Sequence, residues 1–169
     1  MLTFLFLSLL QAPVKITPLL AEWHGTWLGT LHITSGNGQK NEVRFKLVIQ
    51  PLDDKARVTW HITYGEGDKA STRRYELVAL DKPGLFELDE KSGIRMKERL
   101  LGNQLFCLFK VSNSLIHVKH ELRGDVMHYD LTTYQEKDIL QTSHEKNKSI
   151  SVDSYQLVSQ QAGELRRQK

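Results

Sequence analysis

From Thr26 onward, apolar and polar residues alternate with a period of two, the pattern of strands that bury one face. Trp27, Leu31 and Ile33 share one face of the first run. Val43, Phe45, Leu47 and Ile49 do the same in the second, with Arg44 and Lys46 between them. Val58, Trp60, Ile62 and Tyr64 form the third, separated by Thr59, His61 and Thr63. The same reading predicts strands at 72–80, 85–89, 94–101, 104–111, 114–122 and 125–133, and a last one over about 150–162. Short turn-forming clusters separate the runs: Gly36 and Gly38, Pro51 to Asp54, Gly65 to Asp68, Pro83-Gly84, Gly102-Asn103 and Gly124-Asp125. Glycine, Asn and Asp supply the backbone angles and local hydrogen bonds of tight turns. The long exception is the polar stretch 135–149, which reads as an exposed loop or a single helical turn.

Short gaps make sequential strands pair antiparallel as a meander. An open meander of about ten strands leaves unpaired backbone at both edges, and closing it into a barrel removes them. An immunoglobulin-like sandwich is the competing fold, but it uses about seven strands with Greek-key crossings. The expectation is an all-β, single antiparallel up-and-down β-barrel, with residues 22–169 as one domain and the last strand closing beside the first.

Composition narrows the function classes. The chain has 169 residues, 40% hydrophobic and 25% charged, which is globular composition with enough length for one core. Lys plus Arg number 23 against 20 Asp plus Glu, and the basic residues are scattered, so no nucleic-acid partner is expected. The single cysteine, Cys107, lies in the apolar run Gln104–Phe109 and reads as a small buried hydrophobe. Met1 to Leu10 is almost wholly apolar, too short for a span of about 20 residues but the length of a signal-peptide core. Residues 1–21 are therefore read as a signal peptide or N-terminal segment, with export to the periplasm or outside the cell and no stable membrane insertion.

The first strand opens as Trp23-His-Gly-Thr-Trp27-Leu-Gly29. This Gly25-x-Trp27 resembles the calycins, the superfamily of lipocalins and fatty-acid-binding proteins, and Gly25-Thr-Trp27-x-Gly29 is similar to the ten-stranded, haem-binding nitrobindins. The resemblance implies that Trp27 plugs the closed end of the barrel and that a late cation, Arg166 or Arg167, packs across its ring. A nitrobindin carries a haem-ligating histidine near its C-terminus; the last histidine here is His144, and no cofactor is expected.

Arg73 and Tyr75 lie two apart and share a strand face. Fatty-acid-binding proteins hold a carboxylate with an inward Arg-x-Tyr pair on the closing strand, whereas this pair is mid-chain. Trp60, Tyr64, Phe45 and Tyr75 are period-two aromatics that read as core or as the wall of an apolar cavity. His117 and His120 face opposite sides of one strand; His117 and His128 are candidate cross-strand neighbours with Asp130, although exposed polar residues are the commoner outcome and no metal site is expected. The chain lacks Gly-x-Ser-x-Gly, His-Glu-x-x-His and phosphate-loop motifs. The expected function is a non-enzymatic binding protein for a small hydrophobic or amphipathic ligand, with Trp60, Tyr75, Arg73, Tyr64 and Phe45 as ligand-binding residues. The alternative is an interaction module with a filled barrel that acts through its loops or outer face. Oligomeric state is not legible.

Overall fold

A computed structural model describes residues 17–54 and 56–169. Residues 1–16 of the expected signal peptide or N-terminal segment fall outside the described residues. Ten strands follow one another: β1 (Gly25–Ser35), β2 (Lys40–Ile49), β3 (Arg57–Tyr64), β4 (Ser71–Ala79), β5 (Leu85–Asp89), β6 (Arg95–Leu101), β7 (Gln104–Val111), β8 (Ser114–Arg123), β9 (Val126–Ser143) and β10 (Ser151–Arg167). Each pairs antiparallel with its sequence neighbours, and β10 pairs with β1, so the sheet closes into an up-and-down barrel. The alternation read along the chain is what curls it, because one set of side chains lines the interior of every strand.

Interior residues form layers. At one end Trp23, Trp27, Ile49, Leu77, Phe86, Leu105, Met127 and Leu165 are fully buried and fill the barrel. Trp27 Nε1 donates to the Trp23 carbonyl at 3.0 Å. The cation across its ring is Arg167, whose guanidinium carbon lies 4.3 Å from the ring centroid. Arg167 also donates to the carbonyls of His24 and Glu22 and, through Nε, to Asp125 at 3.1 Å. This packed floor closes that end of the barrel.

The seam between β1 and β10 is tight. A Cβ on Gly163 would sit 2.3 Å from the Thr30 carbonyl oxygen, and one on Gly29 would sit 2.2 Å from that of Glu164. Both contacts are to backbone, which cannot swing aside. Gly163→Ala is therefore expected to cost about 1–3 kcal/mol by forcing the two strands apart. A urea-unfolding midpoint equal to wild type would show that the seam has slack.

Of the stretch expected as a loop, residues 135–143 are strand and 144–149 form the turn between two strands. β9 runs to Ser143 and β10 starts at Ser151, and the two pair through Ser151↔Ser143, Val152↔Thr142 and Ser154↔Leu140. β8 starts opposite Gln135 and β1 ends opposite Ser159, so beyond those points the pair rises from the rim as a free ribbon. Its root is irregular, with register shifts at Ser154/Gln156 and Leu157/Ser159 and a positive φ of 59° at Asp138. Alternation missed it because neither face is buried. Leu140, Ile150 and Val152 are all exposed, and main-chain pairing alone makes it a strand. The final strand likewise continues to Arg167 rather than stopping near Ala162.

Candidate functional site

Above the floor the barrel is hollow. A chamber of about 80 Å³ is walled by Trp60, Ile62, Tyr64, Tyr75, Leu88, Met96, Cys107, Phe109, Val118, Tyr129 and Leu131, with Arg73, Glu90, Glu98 and His120 among them. At the rim lies a wider vestibule of about 930 Å³ that shares Tyr64, Arg73, Glu90, Met96, Phe109 and Leu131 with the chamber. The open vestibule alone has the size of small-molecule sites, roughly 300–1,000 Å³, and the chamber beneath it is smaller.

The strands set each position. Trp60 and Ile62 on β3 pair with Tyr75 and Arg73 on β4, so all four point inward at neighbouring heights. Arg73 is the upper member, exposed at the rim, and Tyr75 lies one step deeper. Burial raises the pKa of the Tyr75 phenol, with the nearby Arg73 charge lowering it and that of Glu90 raising it. Two other cations line the vestibule, Arg95 and Lys110, but they are paired with Glu87 and Glu136. Arg73 has no ion-pair partner among the described residues. It is the cation left to meet an anion.

The walls are aromatic. Tyr64 and Tyr129 share a hydrogen bond of 3.3 Å between their hydroxyls, and burial raises the pKa of both phenols. Trp60 meets the His120 ring edge-on at 5.1 Å, and His120 meets Tyr129 at 5.0 Å. Phe45 does not line the cavity; it packs behind the wall against Tyr64 and Tyr129, each at 5.0 Å. Trp60, Tyr64, Arg73 and Tyr75 are thus brought together around one hollow, and Phe45 supports them.

Two inward polar groups, Glu98 and His120, were not assigned to the cavity from sequence, and Cys107, buried as expected, stands beside the first. Glu98 stands opposite Cys107 across the β6–β7 ladder, and burial pushes its carboxyl up to about 8, with the Cys107 thiol donating to it and pulling weakly the other way. Burial, then the neighbouring Glu98, raises the thiol pKa, so Cys107 is held protonated. His120 is buried and its pKa lowered to about 3, so the ring is neutral. Among the described residues neither His120 nitrogen nor Glu98 Oε2 has a hydrogen-bond partner, a cost of about 1–3 kcal/mol for each such group. A signal for both polar groups did exist: Glu98 sits at the inward parity between Met96 and Leu100, and His120 between Val118 and Leu122.

The histidine pairing considered from sequence does not form. His117 lies opposite Thr132, and His128 lies opposite Glu121 and 3.8 Å from Glu164. Among the described residues no group of three or more His, Cys, Asp or Glu is placed to hold a metal. No helix there is long and apolar enough to cross a membrane.

No protein-family model and no curated protein sequence matches the chain. Solved structures do share its fold. A protein of unknown function from the DUF3598 family of Nostoc punctiforme superposes with a TM-score of 0.62 at 16% identity over 93% of this chain. The chain spans about half of that protein, 52%. The S-type phycobiliprotein lyase CPES from Guillardia theta gives 0.59 at 10% identity, covering 88% of this chain and 89% of its own. Rv2717c from M. tuberculosis gives 0.57 at 16% identity, covering 88% and 94%. The expectation that the chain is not an enzyme is corrected by the second of these. A barrel of this fold, matched nearly end to end, is a lyase, so the fold does not exclude catalysis.

Proposed function

We propose that this calycin-like barrel binds a small amphipathic molecule, with its apolar body against Trp60, Tyr64 and Tyr75 and its anionic end at Arg73. The observation that carries the reading is the hollow upper barrel with one unpaired guanidinium at its rim. Burying a chain of methylenes against aromatic walls supplies about 0.8 kcal/mol per CH₂. The guanidinium fixes which end stays at the mouth. The barrel neighbours, one of them a lyase named for a phycobiliprotein, are in keeping with a ligand held inside such a fold.

The test is calorimetric titration of undecanoate. Arg73 is exposed, so Arg73→Gln is expected to leave thermal stability unchanged and to weaken binding about tenfold, roughly 1.4 kcal/mol. An undiminished affinity would remove Arg73 from the site. Failure of the wild type to bind would end the reading for this ligand class. The ribbon favours a second reading, an interaction module acting through its outer surface, because Leu140, Ile150 and Val152 are exposed on it.

A further inference from the structure

The reading above uses the rim and walls of the cavity and leaves its depth unexplained. Glu98 and His120 are 5% and 4% exposed, and both line the chamber. Three of their polar atoms, both His120 nitrogens and Glu98 Oε2, have no partner among the described residues. Native proteins carry few such atoms, and several around one hollow call for a reason. The groups sit on adjoining rows: Glu98 opposite Cys107, Cys107 opposite Val118, and His120 one inward step below Val118 on the same strand. Around His120 the near rings are Trp60 and Tyr129, which offer it edges rather than hydrogen bonds.

The chemistry of the depth is specific. A neutral imidazole offers one donor and one acceptor, and a protonated carboxyl offers the same pair. Among the described residues the one Lys or Arg lining the chamber is Arg73 at the rim, so none of them places a cation at depth. An anionic group is therefore excluded from the depth by desolvation. A methyl group would leave the polar atoms unpaired. An uncharged group that both donates and accepts satisfies them.

We infer that His120 and Glu98 form a second polar subsite, which takes an uncharged hydroxyl at the far end of the ligand whose anionic end lies at Arg73. The inference rests on the binding role proposed above and narrows it. The ligand is an apolar body with two unlike polar ends, an acid at the mouth and a hydroxyl at depth.

The test compares 10-hydroxydecanoate with undecanoate, in which a terminal methyl replaces the hydroxyl, by calorimetry on the full chain. The hydroxy acid is expected to bind at least tenfold tighter, and His120→Phe is expected to abolish or reverse that preference. A second measurement needs no variant: the His120 ring resonances of the wild type shift with the hydroxy acid and stay near their free positions with undecanoate. If both acids bind and undecanoate binds as tightly or more so, the subsite is wrong and the carrier reading stands. A preference that survives His120→Phe, in a variant that still melts cooperatively, also overturns the assignment. If neither acid binds, the carrier reading falls and takes the subsite with it.

Discussion

Trp27→Ala is expected to lower the unfolding free energy by about 3–5 kcal/mol, the usual cost of truncating a fully buried large aromatic side chain. Three losses coincide at this position. The ring fills the floor of the barrel, so its removal leaves a hole that the surrounding strands cannot close. The Trp23 carbonyl loses its indole donor at 3.0 Å. Arg167 loses the ring it covers at 4.3 Å, a contact worth about 0.5–2 kcal/mol. Trp27→Phe keeps an aromatic face and is expected to lose less. Urea denaturation of both variants checks the ranking. A loss below about 1 kcal/mol for the alanine variant would show that the floor collapses around the gap, in place of the rigid plug described above.

The second large effect is a stability profile with opposite slopes on its two sides. In the native barrel the Glu98 carboxyl keeps its proton up to about 8, whereas the ordinary value is 4.5. Between those values the unfolded chain binds fewer protons than the native one, so stability falls as pH rises through that interval. His120 works in the opposite sense. Its native pKa is about 3 against an ordinary 6.5, so below 6.5 the unfolded chain takes up a proton that the native ring refuses, and stability falls as pH drops. Each slope approaches about 1.4 kcal/mol per pH unit. Between 4.5 and 6.5 the two cancel, leaving a plateau that falls away toward 8 and toward 3. Glu98→Gln is expected to flatten the alkaline side, and His120→Phe to soften the acid side. Surface carboxylates act alike in wild type and variants and drop out of the comparison. Thermal melts from pH 3 to pH 9 decide the matter; an alkaline fall that persists in Glu98→Gln would show that Glu98 is ionised in the native chain.

The barrel was legible because each of its strands buries one face, and a buried face writes itself into the sequence at period two. The same rule put Arg73 with Tyr75, and Trp60 with Tyr64, on common strand faces, and the ladder sets those faces side by side. It failed at 135–143, where β9 pairs with β10 and most of the ribbon has no interior to face. It also misjudged depth. Phe45 has the correct parity but stands behind Tyr64 and Tyr129, and only the register across β2 and β3 shows which ring reaches the hollow. Cys107 looks apolar from its sequence neighbours, yet its cross-strand partner is a carboxyl. Glu98 and His120 were visible as polar residues at apolar positions, a mismatch that marks a site more sharply than the aromatics do.

The seam that pairs Trp27 with Arg167 joins the first strand to the last. During synthesis on the ribosome, β1 can pair with β2 as soon as both have emerged, but its other edge stays bare until β10 is made. Closing so distant a contact carries a large loop-entropy cost and places this topology among the slow folders, on the scale of milliseconds to seconds. Throughout that wait the bare edge can zip onto another nascent chain. The stage at which this barrel is most vulnerable in a cell is thus the interval before β10 is made and docks on β1.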